Sequence, residues 1–253
     1  MKSLSKTFSI HQTCIRKGRY PPICVSEIQE RALTQETLQT LLSTAKEATL
    51  GISCAFDRFG KLAAIAVASH SQAIILKVTR GLLEKRNKKS SKSRKALHLP
   101  NKTVLVGLQC LQDIIFLSPD VRKFAYNADE LALALHSDLD LRISHLTDFL
   151  SHPLAPQSRN VVKFLQETFK DDGLFPEAVE LIFESKIWDY SDVANKALTE
   201  NHDILHLVHR AWISQLLASR ESLQSRLTEI PLIDTSHCDS TVRLGNLIII
   251  CSI

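Results

Sequence analysis

Three acidic residues stand at the heads of helical patterns in this chain. Asp129 and Glu130 begin the apolar-periodic part of FAYNADELALAL, and Asp203 begins DILHLVHRAWISQLLA. Carboxylates are hard oxygen ligands of the kind that divalent cations take. Acids in a first helical turn are also favoured by the helix dipole, and Asp203 is a natural helix cap, so position alone assigns no chemistry to them. His202, His206 and His209 share helical spacing, and the first two are placed to share a metal. No further ligand cluster accompanies them, and Leu207 and Val208 between them belong to an apolar stripe, so they read as surface or partly buried histidines. His145 and His152 read as loop residues. No G-x-S-x-G elbow and no glycine-rich phosphate loop is present, in keeping with a total of 7 glycines.

A second group of functional side chains is basic. Lys85, Arg86, Lys88, Lys89, Lys92, Arg94 and Lys95 crowd one short segment with serines and an asparagine between them. Such a block cannot bury itself. It serves as a charged surface loop, a phosphate-backbone contact or a nuclear-localisation-like patch. The chain as a whole is only mildly basic, with 31 Lys and Arg against 27 Asp and Glu. Six cysteines, Cys14, Cys24, Cys54, Cys110, Cys238 and Cys251, show no CxxC pair and no regular spacing. That pattern argues for reduced thiols in an intracellular compartment, nucleus or cytoplasm, and against a disulfide framework. No apolar run reaches the roughly 18–20 residues of a membrane span.

The elements that must position these groups centre on residues 51–78, GISCAFDRFGKLAAIAVASHSQAIILKV. Three short strands are expected, Ile52–Phe56, Leu62–Ala68 and Ala73–Val78. They are joined by an Asp-Arg-Phe-Gly turn, in which Asp57 bonds its own backbone, and by a second turn at Ser69–Gln72. The later two are nearly continuous apolar runs, as suits strands covered on both faces. Before them, residues 1–26 lack acids and carry Lys2, Lys6, Arg16, Lys17 and Arg19. They read as a basic, disordered leader with the composition of a mitochondrial transit peptide. A helix is expected from Ser26 up to the first strand. After the meander come a helix over Thr103–Phe116, a strand at Val121–Tyr126, a helix at Ala128–His136 and a strand at Leu139–Ile143. Ser151–Ser158 is a linker, and helices follow at Asn160–Phe169, Pro176–Phe183 and Asp203–Ala218. The order βββαβαβ predicts an α/β mixed sheet with a helical C-terminal part. The expected organisation is a leader at 1–26, a domain at 27–220 with a basic loop at 84–102, and a C-terminal extension at 221–253.

This order, with the local sequence from about Thr49 to Arg220, resembles the ribonuclease D-like branch of the DEDD 3′–5′ exonucleases, whose domain has a ribonuclease H-like fold. The resemblance implies four metal-binding acids in three motifs. The first, Asp-x-Glu on the first strand of the meander, falls on Ser53 and Ala55, neither of which can replace a metal-bound carboxylate. The second falls on Asp129 or Glu130, with Glu130 the better match by its place before Leu131. The third, a tyrosine followed four residues later by an aspartate, falls on Thr199 and Asp203. LRISHLTDFL resembles the family's strand followed by an Asp-containing turn and places Asp148, without a catalytic role. Trp188 in Ile187-Trp188-Asp189 resembles a tryptophan that precedes the third motif, and is equally a core residue.

The resemblance therefore implies a degenerate exonuclease domain. Three functions are open: binding of single-stranded RNA or DNA helped by the Lys85–Lys95 block; an active Mg2+- or Mn2+-dependent 3′–5′ exonuclease using Glu130 and Asp203, with Asp129 as an added ligand and the first motif placed elsewhere or replaced by Asp57; or a scaffold for a protein partner.

Overall fold

The computed structural model describes residues 5–78, 102–151, 160–184 and 202–238. Its spine is an eight-stranded mixed sheet. The strands are β1 (Ser5–Ile10), β2 (Ile23–Gln29), β3 (Thr49–Phe56), β4 (Leu62–Ala68), β5 (Gln72–Lys77), β6 (Arg122–Ala125), β7 (Leu146–Asp148) and β8 (Leu232–Ile233). Their order is β1-β2-β5-β4-β3-β6-β7-β8. The meander β3-β4-β5 is antiparallel, and β6 and β7 extend it in parallel on the β3 side. Such a meander followed by alternating helices and parallel strands is the ribonuclease H-like mixed sheet expected from the sequence. Asp57 serves the first hairpin as expected, its Oδ1 accepting from the backbone N–H groups of Phe59 at 2.9 Å and Lys61 at 3.0 Å.

Period-two alternation gives the central strands two different faces. One carries large side chains, Leu50, Ile52, Ile65, Val67, Ile74 and Leu76, and packs on α1 (Gln35–Ser43), α2 (Lys102–Leu111) and α3 (Ala128–Leu139). The other is a floor of small residues: Gly51, Ser53 and Ala55 on β3 pair with Ala68, Ala66 and Ala64 on β4. Helices α4 (Val161–Thr168), α5 (Pro176–Glu184), α6 (His202–Ala218) and α7 (Glu221–Leu227) cover that side. Small side chains let the backbone of α6 come down onto the sheet. An added Cβ on Gly51 would stand 1.8 Å from the carbonyl oxygen of Ala211 and 2.6 Å from the amide nitrogen of Gln215.

Three expectations are corrected. Residues 5–26 are not a disordered leader: β1 and β2 lie in the sheet, β2 pairing with β5 in parallel. Cys14 and Ile15 between them, and Ile23 at the start of β2, are buried apolar residues among the basic ones. Cleavage after residue 26 would remove β1 and the first half of β2. Secondly, the helix expected from Ser26 begins only at Gln35, capped by Thr34, whose Oγ1 accepts from the Thr37 N–H at 3.3 Å. The alternation of Ile23, Val25 and Ile28 instead satisfies a strand facing both layers.

Thirdly, Leu139–Ile143 is not a strand. Asp140 takes a left-handed conformation (φ 57°), and the amides of Asp140 and Leu141 bond back to the carbonyls of His136 and Leu135. That closes α3, and the parallel strand β7 forms later, at Leu146–Asp148. β8 pairs antiparallel with β7, so residues 232–233, placed in the C-terminal extension, sit at the sheet edge. The closing apolar run 247–253 and the linker at 152–158 lie outside the described residues.

Candidate functional site

The residues that the sequence points to lie on β3 and at the first turns of α3 and α6, helices on opposite faces of the sheet. The floor on the α6 side is the small-residue face of β3. Ser53 is buried, and its hydroxyl donates to the carbonyl of Leu207 on α6 at 2.6 Å. Ala55, also buried, has no polar side-chain atom to offer. Gly51 faces Ala211 and Ser53 faces Leu207, so each two-residue step along β3 matches one turn of α6. The same step carried once more brings Ala55 level with the turn that bears Asp203. The positions corresponding to the first acidic motif are therefore occupied by helix packing.

Glu130 and Asp203 enter from the first turns of α3 and α6, and both are half-buried. Asn127, in a left-handed conformation just before α3, donates from Nδ2 to Glu130 Oε2 at 3.3 Å. Asp129 is exposed to solvent. A residue that the sequence reading passed over, Arg210, lies two turns beyond Asp203 on α6 and is 3% exposed. Its guanidinium donates to the carbonyl of Ile182 on α5 at 2.9 Å, and to that of Cys54 on β3 at 3.2 Å. Burial draws its pKa down, while Cys54, Asp203, Tyr126 and Glu130 act in the opposite direction. An arginine stays protonated in such surroundings. The signal in the sequence was the i, i+7 spacing from Asp203: two helical turns place both residues on one face, and a helical side chain leans toward the N-terminus.

These residues do not fit a pair of divalent ions. One of the four expected ligand positions is a hydroxyl bonded to a helix carbonyl, one is a methyl group, and the buried charge of Arg210 acts on the two carboxylates that remain. Among the described residues no group of three or more His, Cys, Asp and Glu could hold a metal ion. Thr199, Trp188 and Asp189 lie outside the described residues, as do Lys85, Arg86, Lys88, Lys89, Lys92, Arg94 and Lys95. Asp148 ends β7 and accepts from the Leu150 N–H at 3.0 Å.

Of the α6 histidines, His209 serves the fold. His209 is fully buried and bonds through Nε2 to the carbonyl of His11 at 3.2 Å, tying down the segment after β1. Burial pushes its pKa down from 6.5 to about 4. A histidine held neutral in the folded chain but titrating normally when unfolded adds nothing above pH 6.5. It costs stability progressively as pH falls from 6.5 to 4, about 3 kcal/mol in all. His209→Gln is expected to lose clearly less stability than the parent between pH 7 and pH 4.5 in urea titrations. Equal losses would refute this role for His209.

No family model matches the chain, and no curated protein does. Among solved structures it is similar to Escherichia coli RNase D, an exoribonuclease involved in structured RNA processing, with 10% identity and a TM-score of 0.44 over 77% of this chain and 43% of that one. Trypanosoma brucei RNase D gives 12% identity and a TM-score of 0.48, over 80% of this chain and 71% of that one. Brucella melitensis NrnC with bound Mg2+ gives 12% and 0.39, over 74% and 77%. The chain thus spans less than half the length of the E. coli protein.

Proposed function

We propose that this chain is a ribonuclease D-like domain that has lost hydrolysis and binds single-stranded RNA or DNA. The observation that carries the first half is on β3: the two positions expected to bridge both metals hold Ser53 and Ala55, and the Ser53 hydroxyl is committed to the Leu207 carbonyl. Glu130 and Asp203 are then remnants of a metal site, and Mg2+ or Mn2+ is no part of the working protein. The second half is supported by the ribonuclease H-like sheet together with the seven cations between Lys85 and Lys95, inserted between β5 and α2. That segment supplies phosphate contacts. The scattered cysteines suit a reducing, intracellular compartment. Among the described residues no helix is long and apolar enough to cross a membrane.

Anisotropy titrations of a labelled single-stranded RNA and its DNA counterpart against salt test the binding. Phosphate contacts release counterions, so log affinity is expected to fall linearly with log salt, by about 0.7 per contact. Neutralising Lys88, Lys89, Lys92 and Arg94 should flatten that slope by about 3. Affinity indifferent to salt, or no binding at low salt, would overturn nucleic-acid binding and leave a scaffold for a protein partner.

A further inference from the structure

We infer that Arg210 is the resident cation of this site, one fixed guanidinium standing where the exonucleases that the sequence resembles place divalent metal. Four elements converge on it. β3 offers the Cys54 carbonyl, from the strand residue between Ser53 and Ala55, and α5 offers the Ile182 carbonyl. Glu130 from α3 and Asp203 from α6 act on its charge from their first helical turns. Two half-buried carboxylates acting on one guanidinium repel one another unless their charge is balanced, and Arg210 balances it. In a two-metal site that cation is exchangeable and hydrated; here it is covalently part of α6, 3% exposed, and held by backbone oxygens.

The arrangement has a direct consequence. A divalent ion approaching Glu130 and Asp203 meets a buried positive charge and finds, among the described residues, no group of three ligands, so the folded chain gains nothing from Mg2+ or Mn2+. Arg210 makes the loss of the β3 acids self-consistent: Ser53 and Ala55 let α6 settle on the sheet, and the guanidinium then balances the acids left behind. This inference rests on the reading that the site does not hydrolyse, and is independent of whether the chain binds nucleic acid.

Thermal unfolding of four proteins tests it: the parent, Arg210→Met, Arg210→Lys, and Arg210→Met combined with Glu130→Gln and Asp203→Asn. The parent midpoint is expected to be the same in millimolar Mn2+ and in chelator. Arg210→Met should lower it by roughly 10 °C, since removing one partner strands buried charge. Arg210→Lys should lose less. The triple variant should recover most of the loss, because with both acids neutral no cation is needed. A role limited to packing and to the two carbonyl bonds would give no such recovery, so a triple variant as damaged as Arg210→Met contradicts the assignment, even if the single variant does not fold. A parent stabilised by Mn2+ overturns it as well. Cleavage of single-stranded RNA by the parent would instead sink the non-hydrolytic reading, while failed recovery in an inert parent sinks only the role given to Arg210.

Discussion

Gly51→Ala is expected to lower the thermal midpoint by roughly 10 °C or to prevent folding altogether, a far larger effect than one methyl group usually has. Overpacking normally costs about 1–3 kcal/mol because neighbouring side chains turn aside. At Gly51 the atoms in the way are backbone: the Ala211 carbonyl oxygen at 1.8 Å and the Gln215 amide nitrogen at 2.6 Å. Helix α6 cannot rotate away locally, since it is also held by Ser53 to Leu207, His209 to His11 and Trp212 Nε1 to the His70 carbonyl at 3.0 Å. The whole helix would have to lift from the floor of β3 and β4, and the cost should reach at least about 3 kcal/mol. Ser53→Ala, in the same contact, removes one hydrogen bond and no space, and should cost only about 1 kcal/mol. Chemical denaturation of the two variants side by side checks this. A Gly51→Ala protein as stable as Ser53→Ala would mean that α6 does not lie on β3 as described.

The second large effect centres on Asp172, a buried carboxylate at the turn after α4. Arg19 Nε pairs with its Oδ1 at 2.7 Å, and Arg220, at the end of α6, pairs with Oδ2. Arg220 also donates to the Tyr20 hydroxyl at 2.9 Å and stacks over the Phe169 ring. The three side chains thereby join the segment between β1 and β2 to both helical ends. Their exposures differ, and that decides the energetics: Asp172 is 1% exposed, Arg220 28% and Arg19 56%. Removing Arg220 leaves the buried carboxylate with only the half-exposed Arg19 as its ion-pair partner and strips the face of Phe169, so Arg220→Leu should cost about 2–3 kcal/mol. Removing the acid leaves two guanidinium groups that can turn to water, so Asp172→Asn should cost only about 1–2 kcal/mol. The double variant should be more stable than Arg220→Leu alone. Additive losses in that cycle would show that the pair carries no coupling.

Much of the architecture was legible because local chemistry and tertiary use agree. The DRFG hairpin, the helix starting at Pro176 and the apolar stripe of α6 each form where their residues indicate. β2 was missed because its sequence runs on into helix-forming residues, and only the long-range pairing with β5 decides in favour of a strand. The chemistry of Ser53 and Ala55 could be read directly, since a methyl or hydroxyl group binds metal poorly wherever it lies. Their physical counterpart could not. That Gly51, Ser53 and Ala55 form a seat for α6 depends on which face of β3 meets the helix, and Arg210 looks like any helix-surface arginine until four elements close around it. A buried charge is visible in sequence only through its partners, and here those partners come from residues 54, 130, 182 and 203.

The central claim is that this fold no longer performs metal-dependent hydrolysis. Its most direct test is a time course on 5′-labelled single-stranded RNA and DNA with Mg2+ or Mn2+, run beside Asp203→Ala. Intact substrate with both proteins throughout is the predicted result. A ladder of shortened products made by the parent and abolished in Asp203→Ala would contradict the claim and place a working metal site at the head of α6.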